Sequence, residues 1–220
     1  MLVFENVTKH YHYEQYPTVE NFSLQLTDRL NTVLVDAQSG KTTLAKLVLG
    51  LEKATSGRVT WNNKDCFTID GKDMDATYLC SNLLLFGGKT ALYNVAYPLI
   101  LRGQSKQQAH QVAQQLLQQC GIDPSTKVKK LSPAQQVDVV LARLFARNSA
   151  LVVVDDFLPL LNEEQTQRLM QFFDQSNCFV VHFTSELEQA FGSVYLWHDG
   201  KVVTDNIKQY LDEAIWLGRY

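Results

Sequence analysis

Asp36-Ala37-Gln38-Ser39-Gly40-Lys41-Thr42-Thr43 follows the apolar run Thr32-Val33-Leu34-Val35 and precedes Leu44, Leu47, Val48 and Leu51, which recur at helical spacing. A buried strand, a Gly-Lys-Thr turn and an amphipathic helix, in that order, form a cradle for phosphate. The N–H groups at a helix N-terminus point outward, and the helix dipole favours an anion there. Gln38, Ser39, Gly40, Lys41, Thr42 and Thr43 are the candidate phosphate contacts. Lys41 adds a point charge near the outer phosphates, and the Thr42 hydroxyl is a ligand for Mg²⁺. The match is incomplete, because the phosphate-loop pattern has glycine where this chain has Val35.

Composition narrows the class. The chain has 220 residues, 45% of them hydrophobic and 20% charged, with a net charge of −3. That supports a substantial core in one large α/β domain or two small ones. It speaks against a disordered chain and against a nucleic-acid partner, since neither low hydrophobicity nor a basic excess is present. Cys66, Cys80, Cys120 and Cys178 lie far apart without a CxxC pair, which argues against zinc and for a reducing compartment. The N-terminal residues Met1-Leu2-Val3-Phe4-Glu5-Asn6 lack the features of a signal peptide. No apolar run approaches the roughly 20 residues that span a bilayer. These features predict a soluble, cytosolic chain that would serve a membrane process as a peripheral subunit.

Working outward from the loop, residues 1–30 alternate apolar and polar side chains in short pieces and predict an antiparallel β layer. Residues 57–79 return to strand-like pieces broken by Asn62-Asn63 and Asp70-Gly71 turns. Ser105 starts a helix with Gln108 as its capping-box partner, and Gly121 stops it. A second helix starts at Ser132, with Pro133 in its first turn. Ala150 to Val154 is a buried strand ending in Asp155-Asp156, and Asn162 caps the helix after it. Cys178 to Phe183 and Ser193 to Trp197 are further strands, a helix is expected from Ser185, and the tail from Asn206 to Leu217 has a helical pattern. Strands separated by helices imply a mostly parallel core sheet, interrupted by an inserted helical subdomain at about 88–147.

Asp155 is the residue that a buried strand would present to Mg²⁺, and Asp156 stands where it would polarise an attacking water. Between the loop and these acids lies Leu131-Ser132-Pro133-Ala134-Gln135-Gln136, then Leu141-Ala142-Arg143. Here the chain resembles the ATP-binding domain of ABC transporters, whose signature is Leu-Ser-Gly-Gly-Gln followed by a helix with Ala-Arg near its middle. Other stretches agree in order: Thr55-Ser56-Gly57, Leu85-Phe86 with Asn94-Val95-Ala96, Phe183-Thr184-Ser185-Glu186-Leu187, and Asp199-Gly200-Lys201-Val202-Val203. The resemblance extends over essentially residues 1–220. It implies an α/β P-loop NTPase fold of ABC type: a mostly parallel core sheet, an antiparallel β layer and an inserted α-helical subdomain.

The resemblance also implies roles. Tyr11 would stack on adenine, Thr42 and Asp155 would hold Mg²⁺, and Asp156 would stand at the catalytic position. Ser132 would reach the γ-phosphate of ATP held by a second subunit. ATP and Mg²⁺ are the implied cofactors. The implied partners are a transmembrane permease subunit and a second ABC-type domain, in a homodimer or heterodimer, at the inner face of the cell membrane. Simpler readings stand beside these. Ser-Pro-Ala-Gln is a good helix start by itself; Ser185 with Glu188 forms a capping box; Tyr13 and Tyr16 compete with Tyr11; and His182 reads as a packed strand residue.

The departures from the family pattern set the expectation for activity. Ser81 replaces the loop glutamine, Pro133 and Ala134 replace signature glycines, Asp156 replaces the catalytic glutamate, Ser185 replaces the switch histidine and Asn162 replaces an aspartate. Proline offers no N–H, and a charge-assisted hydrogen bond is worth roughly 1.5–3 kcal/mol. Asp156 is one methylene short, and a misplacement of about 1 Å can cost on the order of 10²-fold in rate. Two readings result: an ATP-binding transporter subunit with weak or absent hydrolysis, or a nucleotide-binding pseudo-ATPase that regulates or supports a partner. A small-molecule P-loop kinase would need an arginine-rich lid, and residues 88–147 hold only Arg102, Arg143 and Arg147.

Overall fold

Alternation in the first residues sets the antiparallel layer. Strands β1 (Leu2–Lys9), β2 (Val19–Leu26), β4 (Ser56–Trp61) and β5 (Lys64–Asp65) form a four-stranded sheet in the order β2-β1-β4-β5. Leu2 and Phe4 point inward, and so does Val7, an odd step along β1. The register shift between Phe4 and Val7 absorbs that step, with Asn6 at φ 48°. On β4, Gly57 lies at φ 73°, and a Cβ there would meet the carbonyl oxygens of Glu5 and Asn6 at 2.3 Å. Only glycine fits against the bulge. The structure, a computed structural model, describes residues 1–35, 40–70, 73–198 and 201–203.

The second sheet has six strands. β3 (Leu30–Val35), β6 (Ala76–Cys80), β7 (Leu151–Asp155), β8 (Phe179–Thr184), β9 (Ser193–His198) and β10 (Lys201–Val203) run in the order β10-β9-β3-β8-β7-β6. β3 is parallel to β8 and β9, and β7 is parallel to β8; β10 returns antiparallel to β9. β7 and β8 are buried along their whole length, as strands covered on both faces must be. The chain divides into two compact units. The first comprises Met1–Tyr78, Leu151–Asp155 and the chain from Phe179 onward; the second comprises Leu79–Ala150 and Asp156–Cys178.

In the first unit, helix α1 (Lys41–Val48) packs on β7, β8 and β4. Phe4, Phe22 and Trp197 meet edge to face, with centroids 4.9 Å and 4.8 Å apart, which favours their ring quadrupoles. Leu51, expected on the buried face of α1, is exposed, because the helix has ended before it. In the second unit, α2 (Ala91–Leu101), α3 (Lys106–Gln119) and α4 (Pro133–Arg147) share a core in which Ala91, Ala96, Ala109, Ala113 and Ala142 let the helices approach closely. α5 (Glu163–Gln175) completes that unit.

Most of the expected elements form near their predicted bounds. One does not. After β8 the chain makes a single 3₁₀ turn, Leu187–Gln189, in place of a helix beginning at Ser185. The Thr184 hydroxyl accepts from the Glu186 N–H at 3.1 Å, and the Ser185 hydroxyl accepts from Lys41 Nζ at 3.4 Å. The Ser185 hydroxyl is thereby taken from the capping box with Glu188. The predicted tail helix lies outside the described residues. No described helix is long and apolar enough to cross a membrane.

Candidate functional site

The N-terminus of α1 differs from that of every other described α-helix. Thr90 caps α2, Ser105 caps α3, Ser132 caps α4 and Asn162 caps α5, each by accepting a first-turn N–H on its side chain. At α1 the cap is Gly40, with no side-chain cap hydrogen bond. Its φ of 88° is a conformation that glycine adopts without penalty. A Cβ at Gly40 would also lie 2.9 Å from Val19 Cγ2 and 3.0 Å from the Thr18 carbonyl oxygen. Among the described residues no side chain caps the first-turn N–H groups of α1, which suits them to an external anion, with Lys41 and the exposed Thr42 in the same turn. Gln38 and Ser39 lie outside the described residues.

Parallel register brings the other groups to the same edge. Val33 pairs with Phe183, which pairs with Asp155; one step on, Leu34 pairs with Thr184. The carboxyl ends of β3, β8 and β7 are therefore aligned, the place where open α/β sheets present their ligand crevice. Asp155 is only 3% exposed. Its Oδ2 accepts a 2.6 Å hydrogen bond from the Tyr78 hydroxyl, while its Oδ1 is buried with no hydrogen-bond partner among the described residues. An orphaned carboxylate oxygen at this edge suits a hard cation or its water. Thr42 and Asp155 thus fit the donor set for Mg²⁺. Sequence reasoning missed Tyr78; nothing in the local pattern marks a strand tyrosine as the partner of a distant acid.

Tyr11 reaches the same helix. Its hydroxyl lies 3.4 Å from Thr43 Oγ1. Lys9 Nζ sits over its ring at 4.7 Å, held by Glu52 at 3.0 Å, and Tyr13 stacks on it with centroids 5.6 Å apart. Tyr11, Gly40, Lys41, Thr42, Thr43 and Asp155 all belong to the first unit.

Ser132 and Asp156 belong to the second unit. Ser132 is exposed and forms a complete capping box: its hydroxyl accepts the Gln135 N–H at 3.3 Å, and Gln135 Oε1 accepts the Ser132 N–H at 3.0 Å. Asp156 is exposed, with φ 48°, directly after the strand that carries Asp155. Arg143 donates to the carbonyls of Leu84 and Leu83 at 2.8 and 3.0 Å. Those leucines hold φ of 46° and 51°, a strained arrangement for side chains of this size. Burial lowers the pKa of Arg143. Phe86, Tyr93 and Tyr97 form an aromatic cluster, Tyr93 and Tyr97 stacked at 5.0 Å with Phe86 edge-on, and Phe86 is half exposed. Among the described residues no three histidine, cysteine or acidic side chains cluster as a metal site.

A family profile described as "ABC transporter" matches residues 19–158. A relative from Brucella abortus (strain 2308), named Fe(3+) ions import ATP-binding protein FbpC, is 30% identical over 203 residues, covering 90% of this chain and 54% of that protein. The cell division ATP-binding protein FtsE of Haemophilus influenzae is 26% identical over 185 residues, covering 80% of this chain and 85% of that protein. The chain spans about half the length of FbpC and of the methionine import ATP-binding protein MetN of Corynebacterium jeikeium, of which it covers 49%. In three dimensions it superposes on the ATP-binding cassette MJ0796, solved as a dimer bound to ADP and Pi, with a TM-score of 0.79, covering 93% of this chain and 98% of that one at 24% identity.

Proposed function

We infer from membership of the ABC transporter family, to which this chain belongs, that it is an ATP-binding subunit that holds Mg-ATP at the uncapped end of α1 and works with a membrane transporter. The observation that carries this reading is the contrast at the helix ends. Among the described residues, four helices close their N-termini with their own side chains, while α1 starts at Gly40 with no side-chain cap and Lys41 in its first turn, and at the aligned strand ends buried Asp155 keeps one oxygen without a hydrogen-bond partner. Tyr11, whose ring carries Lys9 and Tyr13 in this structure, is the aromatic candidate for the base, with Tyr13 displaced on binding, and Lys41 and the α1 N–H groups take the phosphates. Thr42 and Asp155 would hold Mg²⁺, which would neutralise part of the negative charge of the phosphate oxygens.

Hydrolysis by the chain alone is weak or absent on this reading. Ser81, Pro133, Asp156 and Ser185 replace the groups that would orient water, sense the γ-phosphate and complete closure. Lys41 is already engaged with Ser185, which supports the alternative of a pseudo-ATPase whose nucleotide sets its shape as a regulatory or structural partner. The second cassette is another copy or a related chain, with Ser132 facing the nucleotide of its partner. The half-exposed Phe86 and the stacked Tyr93 and Tyr97 suit docking on a transmembrane subunit at the inner membrane face.

Calorimetry with Mg-ATP beside a turnover assay tests both readings. Wild-type chain binds Mg-ATP, and Lys41→Ala abolishes most of that binding. Turnover that appears with a partner and is lost in Lys41→Ala favours the motor. Binding without turnover in any pairing favours the pseudo-ATPase. No heat of association at millimolar Mg-ATP removes both.

A further inference from the structure

We propose that Tyr78 is a positioning residue for the metal: its hydroxyl selects which oxygen of Asp155 faces Mg²⁺. This rests on the nucleotide-binding reading above and adds to it a residue that the sequence motifs do not mark. An aspartate carboxylate turns easily about its last torsion, and its two oxygens are chemically equivalent. At Asp155 they are not equivalent. Oδ2 takes the Tyr78 O–H at 2.6 Å, a length typical of a hydroxyl bonded to a charged oxygen. Oδ1 is buried and takes nothing among the described residues. Tyr78 lies on β6 and Asp155 ends β7, neighbours in the core sheet, so the donor stands on a rigid element. The hydrogen bond thereby pins the carboxylate with one oxygen held back and the other left for a hard cation. Outer partners of this kind orient metal ligands and tune their affinity.

Metal affinity in the presence of ATP, followed with Mn²⁺ by its electron paramagnetic resonance signal, reads this directly. ATP affinity with and without EDTA, measured by calorimetry, isolates the metal-dependent part of binding. Tyr78→Phe removes one hydroxyl and keeps the ring; it leaves ATP affinity in EDTA unchanged and weakens Mn²⁺ binding about tenfold. In Asp155→Asn, which has lost the charged ligand, Tyr78→Phe adds no further loss. Tyr78→His, which keeps an N–H donor on a ring, recovers part of the affinity; should Tyr78→Phe unfold, Tyr78→Met, which also lacks the donor, takes its place with the same expected loss. An unchanged Mn²⁺ affinity in folded Tyr78→Phe overturns the proposal, as does an equal loss in the Asp155→Asn background. ATP that fails to bind wild-type chain even in EDTA overturns the nucleotide reading and this proposal with it.

Discussion

His182 is the residue whose environment departs furthest from what its side chain prefers. It sits in β8 between Thr32 of β3 and Val154 of β7, is 0% exposed, and stacks on Phe191 with centroids 5.2 Å apart. Neither ring nitrogen has a hydrogen-bond partner among the described residues. Burial lowers its pKa from 6.5 to about 4, so the folded protein holds the imidazole neutral. The unfolded chain takes up that proton at higher pH. Between these values the unfolded state binds more protons, and stability falls as pH falls. The contribution is complete above about 6.5 and is lost on the way to pH 4, amounting to about 3 kcal/mol. Denaturant titrations at pH 7 and pH 4.5 should show this loss, and His182→Leu should flatten it. A wild-type pH dependence that survives in His182→Leu would assign it to other groups. The sequence placed His182 correctly as a strand residue; that its ring nitrogens find no donor or acceptor among the described residues depends on the neighbouring strands.

At the scale of elements, the helix starts were legible because capping is local. Ser132-Pro133-Ala134-Gln135 and Asn162-Glu163-Glu164-Gln165 carry their partners within one turn; both start a helix as expected, and each closes a complete capping box. Ser132→Ala should therefore cost about 1 kcal/mol whatever its role towards nucleotide. For a chain of this size that is a fall in Tm of about 2–4 °C, measurable by calorimetry without ATP. Ser185 shows where local reasoning fails. Its sequence allows a capping box with Glu188, but Lys41 from a distant helix takes the hydroxyl instead, and a 3₁₀ turn replaces the helix. The clamp of Arg143 on Leu83 and Leu84 was equally hidden, because residues so far apart in sequence share no local signal.

Over the whole molecule, the described candidates for nucleotide contact in cis fall in the first unit: Tyr11, Gly40, Lys41, Thr42, Thr43 and Asp155. A ligand that binds only the folded state stabilises it by about 2.7 kcal/mol at a hundred times its Kd. Mg-ATP should raise Tm, and hydrogen exchange should slow in α1 and at the carboxyl ends of β7 and β8 while α3 in the second unit exchanges unchanged in the monomer. Chelating the metal with EDTA should return part of the gain. Slowing confined to the second unit would place the nucleotide elsewhere.

The chain's own order determined the fold family and marked a candidate phosphate cradle and the departures from the family motifs, since these depend on periodicity, turn chemistry and short motifs read along a line. Only the tertiary structure decided that α1 alone among the described α-helices lacks a side-chain cap, that Tyr78 holds one oxygen of Asp155, and that the His182 ring nitrogens have no hydrogen-bond partner among the described residues. Each depends on which strands and helices become neighbours. Pairing between distant segments is set by the burial of whole faces, so no single stretch of sequence contains it.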